Sequence, residues 1–256
     1  MINFQLPTEI IQGEDSYTSI VKVLAKLNIQ NILIVTGENV SKLPKFLEIL
    51  KVLNAQKINH TIFDKVESDP SIDTIEIGTQ LAKNVNVQLI LAIGGGSNID
   101  ASKGIAIMAK NSGKITDYEG SEKFLNTPLP IIALPTTAGT GSEVTFFAVF
   151  TDTLNKRKFI VHSTRIAPIT AILDSQFLLS TPRPVRIAAG MDALTHAIES
   201  YVSKLANDYS KPYALMAIDI ILKNFINYVN NNDLQSANYM LIASNIAGIS
   251  FTNTRL

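Results

Sequence analysis

LILAIGGGSNIDASK, residues 89–103, sets the architecture of this chain. An apolar run of strand length ends in three glycines, and a helix-forming segment follows at once. IIALPTTAGTGSEVT, residues 131–145, repeats the arrangement of a buried strand that runs into a loop of small residues. Two such loops after two buried strands favour a parallel sheet with a ligand cleft at its edge.

The rest of the first 180 residues also alternates between strands and helices. NILIVT (31–36) and INHTIF (58–63) are predicted strands, because β-branched residues are frequent in them. Residues 41–54 form a predicted helix, and residues 68–85 form another that opens with a serine or aspartate cap and a proline in its first turn. The residues predicted to share one face of the first of these helices are Leu43, Phe46, Leu47, Leu50 and Leu53.

Beyond residue 180 the strand-like runs give way to helical ones. TPRPV (181–185), with two prolines, marks the predicted boundary. The predicted fold class is α/β, with a Rossmann-like parallel-sheet domain over residues 1–180 and the start of an all-helical domain over residues 181–256. The predicted core-facing stripe of the helical part is Ile218, Leu222, Phe225 and Val229.

Composition limits the classes of partner. Twenty-two basic and 22 acidic residues cancel, so no excess charge attracts nucleic acid or an acidic membrane surface, and we expect a small-molecule partner. The absence of cysteine excludes disulfides, thiolate metal clusters and thiol nucleophiles. The segment MINFQLPTEI (1–10) lacks the pattern of a secretion signal and the apolar runs are shorter than a membrane span, so we expect a cytoplasmic protein.

The glycine segment 94–96 has two interpretations. Glycines let the backbone approach a ligand, and the N–H groups that begin the following helix attract phosphate, so a pyrophosphate would fit there. Alternatively the segment is only a tight turn, with Ser97 and Asp100 forming a capping-box start to the helix. The usual dinucleotide motif does not match, since it needs glycine at Ile99, and no P-loop sequence occurs.

The loop PTTAGTGSEVT (135–145) is the second candidate ligand site. Its hydroxyl groups surround two glycines, a combination suited to ribose and phosphate oxygens. Alternatively these hydroxyls bind only their own backbone.

MDALTHAIES (191–200) places Asp192 and His196 four residues apart, on one face of a predicted helix. The two side chains could simply hydrogen-bond each other. They could also present an oxygen and a nitrogen to one cation, a donor set that suits iron(II) and also zinc.

Four segments together resemble the iron-activated (group III) alcohol dehydrogenases, which share a fold with glycerol dehydrogenase and dehydroquinate synthase. They occur in order and at family-like spacing over essentially the whole chain: GGGSNIDASK (94–103), PTTAGTGSEVT (135–145), KFIVHSTRIAPITAILD (158–174) and GMDALTHAIESYV (190–202). The resemblance implies a metal-dependent, NAD(P)-linked alcohol dehydrogenase or aldehyde reductase that transfers hydride between a small alcohol and nicotinamide.

The resemblance also implies which residues bind the cofactor. The glycine loop would lie against the pyrophosphate, the threonine-rich loop would line the nucleotide site, and Lys158 would lie near the cofactor, although a lysine in NKRK is by itself typical of a solvated surface charge. The implied cofactor-binding residues are Gly95, Gly96, Ser97, Asp100, Thr136, Thr137, Thr140, Thr145 and Lys158.

The choice between NAD and NADP is set close to the first long strand. Many NAD-preferring family members carry aspartate directly after that strand, whereas here the order is Thr36, Gly37, Glu38. Glu38 could replace the aspartate, and Gly37 would leave room for a 2′-phosphate. We therefore expect NAD, with NADP as the alternative.

Asp192 and His196 match the first two metal ligands of the family, and they would be the catalytic pair that holds Fe²⁺, or Zn²⁺, as a Lewis acid. Family members supply two further histidines beyond the segment that matches ISFTNTRL (249–256), while His60 and His162 match no ligand position. We therefore expect an incomplete helical metal-binding domain, and from the family a homo-oligomer.

Two alternatives belong to other functional classes. With half of a metal site, the chain would be a non-catalytic nucleotide-binding module. A lyase of the dehydroquinate synthase type would share the fold, the cofactor and the metal, but GMDALTHAIES and PTTAGTGSEVT are closer to the alcohol dehydrogenases.

Overall fold

A computed structural model describes residues 2–255 of the chain. The strands in this part are β1 (Glu9–Gln12), β2 (Asn31–Val35), β3 (Asn59–Phe63), β4 (Leu89–Gly94), β5 (Gly120–Ser121), β6 (Ile131–Pro135), β7 (Phe147–Asp152), β8 (Arg157–His162) and β9 (Thr170–Leu173). The α-helices are α1 (Ile20–Lys26), α2 (Glu38–Ser41), α3 (Pro44–Ala55), α4 (Ile72–Asn84), α5 (Gly96–Lys110), α6 (Arg183–Val202), α7 (Ser210–Asn230) and α8 (Leu234–Thr252).

Six strands form a parallel sheet in the order β1-β9-β6-β4-β2-β3. Alternate residues of its strands enter two apolar clusters on opposite faces. Ile32 and Ile34 pack with α1 and α3, whereas Leu33 and Val35 pack with α4 and α5. Because helices cover both faces, the central strands are buried at every apolar position, which explains their continuous hydrophobic sequence.

The strand order reverses between β2 and β4. The chain runs outward from β2 to β3 and then crosses back, so that β4, β6 and β9 extend the sheet in the other direction. In open parallel sheets this reversal opens a crevice at the carboxyl ends of the two central strands. The loops that begin at Thr36 and at Gly94 therefore diverge at the same edge of the sheet.

A small second sheet and the helical part complete the fold. In the small sheet β8 lies between β5 and β7. Helices α6, α7 and α8 pack on one another, and their apolar cluster includes Ala171 and Leu173 of β9. The fold class is confirmed as a Rossmann-like α/β part followed by helices. The division at residues 180 and 181 stays a prediction; the last strand ends at Leu173 and α6 begins at Arg183.

Three details of the helix predictions are wrong. In α3, Leu47 is 49% exposed and Ile49 is buried in its place, because the face that this helix packs against the sheet includes Ile49 and leaves Leu47 at its border. In α7, Leu222 is 67% exposed, since Ala217 and Ile221 face α6 and α8. At the start of α4 the cap is Ser71, which accepts a hydrogen bond from the Thr74 N–H at 3.2 Å, and the proline precedes the cap.

Between residues 2 and 255, no helix has both the length and the apolar character that crossing a membrane requires.

Two leucines of α3 test this packing in one helix. Leu53 is fully buried and Leu47 is half exposed. We expect Leu53→Ala to lower the free energy of unfolding by about 2–5 kcal/mol, because it leaves a cavity, and Leu47→Ala to lower it by less than about 1 kcal/mol. Urea denaturation measures both, and equal losses would contradict the described orientation of α3.

Candidate functional site

An open cleft of about 980 Å³ lies at the edge of the sheet where the strand order reverses. Loops that follow β2, β3, β4 and β6 form one side of this cleft, and the start of α6 forms the other side. Both predicted ligand loops therefore meet in the same place. Residues that line the cleft include Gly37, Glu38, Asn39, Glu67, Ser68, Gly95, Gly96, Ser97, Thr136, Thr137, Thr181, Pro184, Ala188 and Ala189.

The glycine loop turns at Gly94, where only glycine fits. Its φ of +149° is disfavoured for other residues, and a Cβ there would lie 2.3 Å from Asn98 Oδ1. Gly95 is the N-cap of α5, and no described side chain caps the helix. The capping-box interpretation is therefore wrong: Ser97 lies inside α5, and its Oγ accepts a hydrogen bond from the Asp69 N–H at 3.2 Å. The uncapped N–H groups that begin α5 belong to residues that line the cleft, where an anion can bind them.

The glycine loop and the threonine-rich loop pack directly against each other. A Cβ on Gly95 would lie 3.1 Å from Thr137 Oγ1, and one on Gly96 would lie 2.5 Å from Thr140 Cγ2. Glycine is thus required at position 96 by the neighbouring loop as well as by any ligand. Thr140 stands behind Gly96, and the cleft is lined by the two threonines that precede it in the loop.

The nine predicted cofactor residues fall into three groups. Those brought together in the cleft are Gly95, Gly96, Ser97, Thr136 and Thr137. Asp100, Thr140 and Thr145 lie behind the loops and away from the cleft lining. Lys158 is on β8, where its Nζ lies 2.8 Å from Asp69 Oδ1, and the N–H of this same aspartate donates a hydrogen bond to Ser97 Oγ. For all nine, contact with a cofactor stays a prediction.

A buried polar network fixes the threonine-rich loop behind the cleft. The fully buried Lys103 donates hydrogen bonds from Nζ to Ser142 Oγ at 2.9 Å, Thr145 Oγ1 at 2.9 Å and the Phe147 carbonyl oxygen at 2.8 Å. Ser142 Oγ in turn donates to Asp100 Oδ1 at 2.5 Å, and the other oxygen of Asp100 accepts from the Val149 N–H at 2.9 Å. Helix α5 therefore holds both the loop and β7.

Burial shifts the pKa values of this network. It lowers the pKa of Lys103 to about 8, against the attraction of Asp100 and Glu143, and it raises the pKa of Asp100, against the attraction of Lys103. Burial also raises the pKa of Glu143, whose Oε1 accepts a hydrogen bond from Asn245 Nδ2 of α8 at 2.9 Å. These polar contacts therefore link α5, through the threonine-rich loop, to α8.

The sequence interpretation missed Lys103, Glu143 and the loop after β3. Lys103 had a weak signal, since it lies among apolar residues and three positions after Asp100 in a helix-forming segment. Glu67 and Ser68 had none, because a loop's contribution to a cleft depends on the path of the chain after the strand.

Asp192 and His196 lie one turn apart on the half-exposed side of α6. Asp192 Oδ1 and His196 Nε2 are 3.7 Å apart, which is too long for a hydrogen bond, so the alternative of a simple hydrogen-bonded pair is not supported. Burial raises the pKa of the Asp192 carboxyl, with the charge of His196 opposing the rise and that of Glu199 adding to it.

This pair fits a divalent ion as part of a ligand set. A carboxylate oxygen and an imidazole nitrogen face the same gap, and both donors suit iron(II) and zinc. Within residues 2–255, no third histidine, aspartate or glutamate joins them in a group that could hold a metal. The described part of the chain therefore offers two candidate metal donors, and their binding of a metal stays a prediction.

Helix α6 connects the cleft to this pair. Pro184, Val185, Ala188 and Ala189 line the cleft. Asp192 follows Ala188 by four residues, and one more turn leads to His196, so all lie along one face of the helix. The two donors are therefore next to the end of the cleft.

Two lysines of α5 test the buried network. Lys103→Met leaves Asp100 without its cation, so we expect a loss of about 3 kcal/mol or more in the free energy of unfolding. Lys110→Met, at the exposed end of the same helix, should change it by less than about 0.5 kcal/mol. Thermal and urea unfolding measure both; a Lys103→Met protein as stable as the wild type would show that the network does not hold the loop.

Two family models cover most of the chain. Residues 7–175 match the model of iron-containing alcohol dehydrogenase, and residues 186–256 match that of the C-terminal region of the Fe-containing alcohol dehydrogenase family. Among curated relatives, alcohol dehydrogenase 4 of Schizosaccharomyces pombe and the NAD-dependent methanol dehydrogenase of Bacillus methanolicus are each 34% identical over 99% of this chain. The chain spans 60% of the first relative's length and 67% of the second's.

Solved structures agree with the sequence comparisons. The fold is similar to that of a 1,3-propanediol oxidoreductase, with a TM-score of 0.96 and 35% identity over 100% of this chain and 67% of that one. It is also similar to sulfoacetaldehyde reductase from Bifidobacterium kashiwanohense in complex with NAD⁺, with a TM-score of 0.92 and 28% identity over 98% of this chain and 67% of that one. The chain belongs to the iron-containing alcohol dehydrogenase family.

Proposed function

We propose that this chain forms the cofactor cleft and part of the metal site of a metal-dependent, NAD(P)-linked alcohol dehydrogenase or aldehyde reductase for small substrates. The observation that carries the proposal is the continuity of α6, whose first two turns line the cleft and whose next two turns carry Asp192 and His196. Family membership supports it. A cytoplasmic location and a homo-oligomeric state belong to the same proposal.

The cofactor is held by backbone more than by charge. The uncapped start of α5 binds the pyrophosphate, and the absence of side chains at Gly95 and Gly96 lets it approach. Thr136 and Thr137 offer hydroxyls from the neighbouring loop. The residues of α6 that line the cleft would hold the rest of the dinucleotide, and Asp192 and His196 follow them on the same helix.

Asp192 and His196 would hold the metal ion at the place where the substrate reacts. When bound, the metal would supply Lewis acidity toward the alcohol or aldehyde oxygen, and the nicotinamide would supply or accept the hydride. His196 has 24% and Asp192 has 43% of its side chain exposed, so both are partly accessible while still fixed by α6.

NAD is the cofactor that the cleft favours. Glu38 lines the cleft directly after β2, and a carboxylate there accepts hydrogen bonds from ribose hydroxyls but repels a 2′-phosphate. Lys42 directly follows the short helix α2, and its Nζ lies 2.7 Å from Glu38 Oε1, where it neutralises part of that charge. NADP stays the alternative, since Gly37, which precedes Glu38 in the cleft lining, carries no side chain.

Gly96→Ala tests the cleft. The new Cβ would lie 2.5 Å from Thr140 Cγ2 and 2.7 Å from Oγ1 and would force the two loops apart, so we expect NADH affinity to fall about tenfold or more. Isothermal calorimetry measures it. Adding Thr140→Ala removes both close atoms and should restore part of the affinity. Unchanged affinity in Gly96→Ala would contradict the assignment.

Asp192→Ala and His196→Ala test the metal pair. With iron(II) added, NAD⁺-linked oxidation of short alcohols should fall about 100-fold or more in each, because a ligand of the Lewis acid is lost. NADH affinity should stay near the wild-type value, since neither residue lines the cleft. Full activity in both variants would refute the proposed chemistry.

A second function, a nucleotide-binding module without catalysis, is favoured by one observation: residues 2–255 supply only two metal donors. Calorimetry with NAD⁺ and with iron(II) separates the two functions. Cofactor binding with neither metal uptake nor turnover supports the module, whereas metal-dependent turnover excludes it.

A further inference from the structure

The imidazole of His196 is held in an unusual way. Its Nδ1 is buried and has no hydrogen-bond partner among the described residues. Instead the ring lies against the ring of Phe251 in α8, with centroids 4.3 Å apart and planes 25° from parallel. Among the described residues, the contact that can orient the His196 ring is therefore the stacked ring of Phe251.

Metal-binding histidines are usually oriented through the nitrogen that does not bind the metal. That N–H donates to a carboxylate, a backbone carbonyl or water, which fixes the ring plane and the tautomer. No described residue does this for His196. Without another restraint, rotation about χ2 would let the imidazole turn its nitrogens away from Asp192.

We propose that Phe251 is a positioning residue for His196: its ring fixes the plane of the imidazole and keeps Nε2 directed toward Asp192. The proposal rests on the proposed function, because it gives this stack a role in metal binding. Stacking suits the task, since offset-stacked aromatic rings attract each other, and close packing of this kind resists rotation of either ring.

Phe251 is itself fixed by the segment that directly follows the threonine-rich loop. It is 3% exposed, and its ring packs 5.6 Å from the ring of Phe147 at the start of β7. Beside it, Thr252 Oγ1 accepts a hydrogen bond from the Phe146 N–H at 3.0 Å.

One turn and a half earlier in α8, Asn245 donates to Glu143 of the threonine-rich loop. Between these two anchors the helix passes very close to the loop: a Cβ on Gly248 would lie 2.9 Å from the Gly141 carbonyl oxygen. The position of the Phe251 ring, and through it that of His196, is therefore set by the same loop that borders the cofactor cleft.

Phe251→Leu is the decisive variant, because it keeps an apolar side chain and removes the ring. Phe159→Leu is its matched control: Phe159 is also 3% exposed and packs 5.6 Å from another phenylalanine ring, Phe150, but lies in a different apolar cluster from α6. Phe251→Tyr keeps the ring and serves as the conservative variant. Phe147→Leu removes the ring that packs on Phe251 and leaves Phe251 itself in place. It therefore tests the proposal even if Phe251→Leu fails to fold.

The first measurement uses the metal-free chain. His196 is assigned by comparison with His196→Ala, and nuclear Overhauser contacts of its ring protons report ring orientation. We expect one set of contacts and an upfield ring-current shift in the wild type, in Phe251→Tyr and in Phe159→Leu. In Phe251→Leu the contacts should average over two orientations, and in Phe147→Leu they should weaken. A single wild-type set of contacts in Phe251→Leu would overturn the proposal.

The second measurement is calorimetric titration with Zn²⁺. We expect affinity to fall about tenfold or more in Phe251→Leu, as for loss of other groups that orient a metal-binding histidine, and to stay unchanged in Phe159→Leu. Equal affinity in wild type and Phe251→Leu would overturn the role in metal binding. If the wild type takes up no ion, the proposed function fails, while loss of ring order in Phe251→Leu still supports the positioning of His196.

Discussion

The site is built on the close approach of two loops, one of which has only glycines where it meets the threonine side chains of the other. Gly95 and Gly96 lie against Thr137 and Thr140, so closely that a Cβ on Gly95 would be crowded and one on Gly96 would clash. This contact brings the uncapped start of α5 and the hydroxyls of the next loop into one cleft. It also explains why small residues are concentrated in two separate stretches of the sequence.

Such a contact needs support, because loops of small residues have little apolar surface of their own to bury. The support is polar. Lys103 and Asp100 reach from α5 to the threonine-rich loop and to β7, with each hydrogen-bonding group of the lysine ammonium matched by an acceptor. Glu143 and Asn245 continue this support to α8. Buried charges are costly unless they are paired in this manner, so the network also commits the chain to one arrangement of its loops.

The helical part places the side chains of Asp192 and His196 next to the end of the cleft and leaves them partly exposed. The first turns of α6 line the cleft, and the next turns carry a carboxylate and an imidazole on the same face. Helix α8 supplies the aromatic ring that stacks on that imidazole. The same loop thus borders the cleft and anchors the helix behind His196. Under the proposed function, these shared supports would keep the cofactor and the metal in fixed register, which hydride transfer requires because the reacting atoms must be held close together.

Local signals in the chain were enough to predict the parallel sheet, both ligand loops and the pairing of Asp192 with His196 on one helical face. Each is a matter of neighbours in sequence: apolar runs of strand length, glycines after a strand, or two donors four residues apart. The misplaced Leu47 and Leu222 show the limit of this reasoning, since the face a helix buries is chosen by what it packs against. Other features were decided only by the tertiary structure. It buries Lys103 beside Asp100 and places Asp100 and Thr145 outside the cleft lining. It also brings Glu67 and Ser68 into that lining and stacks Phe251 on His196. These contacts join residues far apart in the chain, and their geometry follows from strand order and helix packing, which no short segment encodes.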